Sequence, residues 1–175
     1  MKEKTQIIAT IVEHKPGVLY EVANMFRRRN FNIESISVGP IETANLARMT
    51  LTVKGDDKTI EQVVKQMNKL VNVIKVFILE PATTVQREMA LVKVHTSDSK
   101  TRSEVIQYAD IFRGRIVDVA PTSLTVEVTG DTEKINAFID LTHTYGIKEV
   151  ARTGITALAR GAKVIREKQG KEKRG

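Results

Sequence analysis

Val53-Lys54-Gly55-Asp56-Asp57-Lys58-Thr59-Ile60 has a near copy later in the chain, Val128-Thr129-Gly130-Asp131-Thr132-Glu133-Lys134-Ile135. Each stretch closes an alternating β-branched run with glycine and aspartate. An isoleucine five residues after the glycine then opens a helical face. Around the first copy the pattern is regular. Gln6 to Val12 reads as a strand that His14-Lys15-Pro16-Gly17 breaks. Leu19, Val22, Ala23 and Phe26 then fall on one helical face, which ends in the cations Arg27, Arg28 and Arg29. Asn32 to Val38 is a strand and Gly39-Pro40 to Asn45 a turn. Met49, Leu51 and Val53 alternate with polar residues as a half-buried strand. Ile60, Val63, Val64, Met67 and Leu70 mark a second helix, and Val73 to Leu79 a fourth strand.

Around the second copy the same order returns. Met89 to His95 is a strand. Val105, Ile106, Ala109 and Phe112 form a helix face. Ile116 to Val119 and Leu124 to Val128 are strands about a turn at Pro121. Ile135, Phe138, Ile139 and Thr142 mark a helix, and Ile147 to Arg152 a last strand. Strand-helix-strand-strand-helix-strand, met twice, is an α+β chain of two ferredoxin-like βαββαβ domains. The domain boundaries read as 1–79, a linker at 80–87, a second domain at 88–163 and a basic, flexible tail at 164–175. Each sheet carries its helices on one face. On the opposite face of the first sheet, Ile36, Val38 and Thr52 are expected, too apolar to be left wet. Both sheets should therefore be covered by another domain or subunit.

A chain of 175 residues with 41% hydrophobic and 28% charged residues has enough apolar material for a core. It has no apolar run long enough to span a membrane. The absence of cysteine excludes disulfides, thiolate nucleophiles and cysteine metal sites. The N-terminus enters a strand pattern directly, so the cytoplasm is the expected compartment. The net charge of +7 is concentrated at one end. Residues 160–175 hold seven basic and two acidic side chains, which leaves +2 for residues 1–159. That distribution argues against a nucleic-acid surface on the folded body. So does an aromatic content of 5%, because RNA-binding sheets of this type stack bases on aromatic side chains.

Catalytic equipment is sparse. His14, His95 and His143 are dispersed and lack metal-ligand spacing. His95-Thr96-Ser97-Asp98 contains the letters of a triad. Neighbours on a strand alternate faces, however, so Ser97 or Asp98 reads as the start of a turn or helix. No catalytic or metal site is therefore expected. The most informative junction is His14-Lys15-Pro16-Gly17-Val18-Leu19. Pro16 suits the entry to a helix and Gly17 a tight turn. The N–H groups of Gly17, Val18 and Leu19 then form an anion site at the helix start. Asn32, opening the second strand, is expected near residue 14, where its amide offers both donors and an acceptor.

Several stretches together resemble one family. They are Lys15-Pro16-Gly17-Val18-Leu19, Asn32-Ile33-Glu34-Ser35-Ile36-Ser37-Val38, Ala47-Arg48-Met49-Thr50, Lys69-Leu70-Val71, Arg87 to Val94, Ile111-Phe112-Arg113-Gly114 and Glu149 to Gly154. They are similar to the small, regulatory subunits of acetohydroxyacid synthase (acetolactate synthase) over almost the whole chain. The resemblance implies that the first domain is an ACT domain binding valine, or leucine or isoleucine, between two copies of a homodimer. It also implies a large catalytic partner carrying thiamine diphosphate, magnesium and FAD, and a small subunit that activates it and confers feedback inhibition. By position the family's effector residues fall on His14, Gly17 and Asn32, with Gly39 at the small-residue position before Pro40. Val18 and Leu19 join them through their helix-start N–H groups, and Ile33 with Leu19 is expected to offer an apolar pocket at the dimer interface. Relatives often have asparagine where this chain has His14; an imidazole can also hydrogen-bond an effector. The contact with the catalytic subunit is expected on exposed parts of both domains, including the strand edge around Arg48 and the segment Ala151 to Gly161. The other reading from the residues is a free-standing double-ACT sensor regulating another enzyme or transcription. No helix-turn-helix segment supports it.

Overall fold

The computed structural model describes residues 4–162 and residue 164. The tail assigned to 164–175 lies outside these residues apart from Val164. The chain forms two compact units. One runs to Val85 and includes the segment beginning at Ala157; the other is Gln86–Thr156.

In the first unit the order is β1 (Lys4–Glu13), α1 (Val18–Arg28), β2 (Ile33–Pro40), β3 (Leu46–Gly55), α2 (Asp57–Met67) and β4 (Val73–Leu79). The strands form an antiparallel sheet in the order β2-β3-β1-β4. Ile8, Val12, Met49, Leu51 and Val53 point to the helix side. There they meet Val22 and Phe26 of α1 and Ile60, Val63 and Met67 of α2. Phe26 is 1% exposed and stands edge-on to Phe31, with ring centroids 6.2 Å apart. Burying such a ring contributes about 1.5–3 kcal/mol before its packing is counted.

The opposite face is apolar, but through other residues than expected. Ile36 pairs with Leu51 and Val38 with Met49, so both lie on the helix side. Of the expected three, Thr52 alone is on the far face. Alternation along β2 defines two faces without saying which is inward; the register against β3 decides that. The far face is built from Ile7, Ala9, Ile11, Thr50, Thr52 and Leu79, all buried. Arg48, on this face, donates from Nη to the Ala157 carbonyl at 2.6 Å.

A 3₁₀ turn, Pro81–Thr83, leads into β5 (Thr84–His95). In the second unit follow α3 (Ser99–Ile111), β6 (Arg115–Ala120), β7 (Ser123–Gly130), α4 (Thr132–His143) and β8 (Ile147–Arg152). Sheet order is β6-β7-β5-β8, and a short β9 (Thr156–Ala159) pairs with β5. Ala90, Val92, Val94, Leu124, Val126 and Val128 pack on Val105, Ala109, Ile135 and Phe138.

The repeated octads have the same physical content. Asp56 caps α2 by accepting from Thr59 N at 2.9 Å, and Asp131 caps α4 by accepting from Lys134 N at 2.8 Å. Ile60 and Ile135 are the first buried residues of their helices. A Cβ on Gly55 would sit 2.7 Å from Thr59 Cγ2, and one on Gly130 2.5 Å from Lys134 Cδ. Glycine thus lets the helix start close against the strand it leaves.

Candidate functional site

Three of the four described α-helices begin with an aspartate whose side chain accepts a backbone N–H: Asp56, Asp98 and Asp131. Asp98 resolves the His95–Asp98 stretch, since it caps α3 by accepting from Thr101 N at 2.9 Å. The capping N–H and hydroxyl donors hold the Asp56 and Asp98 carboxyls below their ordinary pKa.

Helix α1 differs. Its N-cap is Gly17, at φ 90 in the left-handed region, with no side-chain cap. The first intrahelical bond runs from Glu21 N to the Gly17 carbonyl at 2.9 Å. The N–H groups of Val18 and Leu19 precede that bond and point out of the helix start. Residues 14–17 are exposed, and a Cβ at Gly17 would meet nothing within 4 Å among the described residues. Val18 anchors the turn because its side chain is only 3% exposed, whereas Leu19 is 49% exposed. The junction is held from beneath by three contacts. His14 N donates to the Asn45 carbonyl at 2.7 Å and Glu13 N to that of Asn72 at 3.0 Å. Asn72, itself buried, donates to both carboxylate oxygens of Glu21 at 2.9 and 2.7 Å. The outcome is a braced, open helix terminus with unclaimed donors, an arrangement that favours a carboxylate.

The structure gathers His14, Gly17, Val18, Leu19 and Gly39 at one end of the sheet. Gly39 pairs with Arg48, which pairs with Ile11 near the close of β1. Asn32 and Ile33 lie at the other end, since Ile33 pairs with Val53 and Val53 with Gln6. The expected approach of Asn32 to residue 14 therefore does not occur within one chain. The length of β1 separates them, about 25 Å at 3.2–3.4 Å per residue. Helix α1 runs antiparallel to β1, so the strand after it starts at the far end. Asn32 is exposed, and its Nδ2 donates to Glu34 Oε1 at 2.6 Å.

The fold buries or half-buries two further polar groups, and one of them, Arg48, lies on the interior strand β3 and not at the strand edge expected for it. Arg48 is half-buried, its Nε has no partner among the described residues, and burial lowers its pKa. Glu88, 5% exposed in its side chain, accepts twice from Arg152, at 2.6 and 2.9 Å. That carboxylate raises the Arg152 pKa. Asn136 accepts from the same guanidinium at 2.9 Å. No group of three or more histidine, aspartate or glutamate side chains able to hold a metal occurs among the described residues.

Two families match the chain in succession. The one described as AHAS small subunit-like ACT domain matches residues 8–75. The one described as Small subunit of acetolactate synthase matches residues 87–161. The chain belongs to the acetolactate synthase small-subunit family. A probable acetolactate synthase small subunit of Methanothermobacter thermautotrophicus is 59% identical over 165 residues, 94% of this chain and 98% of that protein. The acetolactate synthase small subunit of Mycobacterium bovis is 45% identical, with the same coverage. The crystal structure of the small subunit from Thermotoga maritima superposes with a TM-score of 0.84 at 47% identity, over 90% of this chain and 98% of that one. Membership in a small-subunit family implies a large catalytic partner and a regulatory role. No helix among the described residues is long and apolar enough to cross a membrane.

Proposed function

We propose that this chain activates the thiamine-diphosphate-dependent catalytic subunit of acetolactate synthase and makes it sensitive to feedback inhibition by valine or another branched-chain amino acid. It would act in cytoplasmic valine, leucine and isoleucine biosynthesis. Thiamine diphosphate, magnesium and FAD belong on the catalytic partner. The observation that carries the effector site is the uncapped start of α1 at Gly17, the one described α-helix whose first donors no aspartate accepts. A ligand carboxylate takes the N–H groups of Gly17, Val18 and Leu19.

The separation of Asn32 from Gly17 supports a site built by two copies. One copy supplies His14, Gly17, Val18, Leu19 and Gly39, and the other supplies Asn32 and Ile33. Asn32 accepts from the effector ammonium, and the exposed Leu19 with Ile33 lines its aliphatic side chain. Calorimetry with valine tests this on Gly17→Asp, Asn32→Ala and a one-to-one mixture of the two. Gly17→Asp alone loses binding and Asn32→Ala alone weakens it. In mixed dimers one of the two sites is assembled from the undamaged halves, so the mixture regains a fraction of the sites. A mixture as inert as its components contradicts a two-copy site.

A further inference from the structure

The second unit has two open sheet edges among the described residues, and they differ in chemistry. Edge strands commonly avoid unwanted pairing by carrying charges. β8 follows that rule with Lys148, Glu149 and Arg152. β6 does not. All but its last residue are exposed, and Ile116, Val117 and Val119 are 37%, 50% and 64% exposed. Its charges are Arg115 and Asp118, and neither side chain has an ion-pair partner among the described residues.

The register places those two charges together. β6 shifts against β7 between Ile116 and Asp118, so Arg115 pairs with Glu127 and Asp118 with Thr125. Glu127 and Thr125 share one face of β7, and Arg115 and Asp118 therefore share one face of β6. Without that shift they would point to opposite faces. Two β6 strands running antiparallel about an axis between Ile116 and Val117 set Arg115 of each opposite Asp118 of the other. The pair of strands then carries two like-faced Arg–Asp contacts beside an apolar centre. Sliding the register until Asp118 faces its own copy would replace attraction with repulsion. A two-fold axis requires a strand to be complementary to itself, and β6 is.

We infer that β6 is a self-pairing edge: it joins β6 of a second copy, extending the sheet of the second unit across two chains. Sedimentation of the full chain tests this with charge-reversed variants at exposed positions. Arg115→Asp alone and Asp118→Arg alone each place like charges opposite each other, and the assembly mass falls at least twofold relative to wild type. The double variant, carrying both substitutions, restores attraction and the wild-type mass. A one-to-one mixture of the two single variants does the same, because a strand with two carboxylates then faces a strand with two guanidiniums. Equal masses throughout would overturn the inference. So would single variants whose loss neither the mixture nor the double variant repairs. Unchanged masses combined with weaker stimulation of the catalytic subunit would also overturn it, by assigning the edge to that partner.

Discussion

Gly17→Asp separates the fold of α1 from its use as an anion site. Gly17 sits at φ 90, and a Cβ there meets nothing within 4 Å among the described residues. The substitution therefore brings no clash, only the strain of a left-handed residue, about 1–2 kcal/mol, and aspartate tolerates that region better than most. Against a typical domain stability of about 5–15 kcal/mol the fold persists. Binding fares differently. The new carboxylate competes for the N–H groups that the effector carboxylate would use and repels it. Losing two charge-assisted hydrogen bonds at about 1.5–3 kcal/mol each weakens binding by at least about 100-fold. Gly17→Ala is the control, because it carries the strain without the charge and keeps the donors open. Calorimetry with valine, beside thermal melts, reads both. The expected order is wild type, then Gly17→Ala with a modest loss, then Gly17→Asp with no measurable binding. Equal losses in the two variants would show that backbone conformation, not the anion site, matters. Wild-type affinity in Gly17→Asp would remove the helix start from the site altogether.

Asn32→Ala should weaken effector binding by about 1–3 kcal/mol and leave the melting temperature within a degree or so of wild type, because among the described residues its amide bonds only the nearby Glu34 side chain. Glu88→Ala strands Arg152; with that side chain 34% exposed the cost falls below the about 3–5 kcal/mol of a fully buried pair, near 2–3 kcal/mol, read by urea denaturation. The depressed pKa values of Asp56 and Asp98 set a pH dependence. Their stabilisation is complete above the ordinary carboxylate value of 3.8 and is lost as pH falls through the lower folded values. The double variant Asp56→Asn with Asp98→Asn should therefore flatten the fall in melting temperature between about pH 5 and about pH 2, and an unchanged acid limb would place the acid sensitivity in other groups.

Much of this architecture is written in local chemistry. The octads 53–60 and 128–135 carry strand end, close-packing glycine, aspartate cap and first core isoleucine within a few positions, so each junction is legible without any long-range contact. What depended on register was less accessible. Ile36 and Val38 alternate as a half-buried strand does, yet only their pairing with Leu51 and Met49 turns them to the helices. The Pro-Gly junction at residues 16–17 announces an open helix start because no residue there can cap. The distance between Gly17 and Asn32 follows from the direction of α1 over the sheet, which residue spacing alone does not give. β9 and the grip of Arg48 on Ala157 join residues far apart in the chain, and a four-residue strand has too short a pattern to show.

Regulation of a catalytic partner is read most plainly from the rate of acetolactate formation. The catalytic subunit from the same cell is measured alone, with this chain, and with this chain and valine, leucine or isoleucine. Adding the chain should raise the rate, and at least one of the three amino acids should bring it back toward the unstimulated value. A rate that the chain leaves unchanged, under conditions where the catalytic subunit alone is active, would contradict a regulatory role.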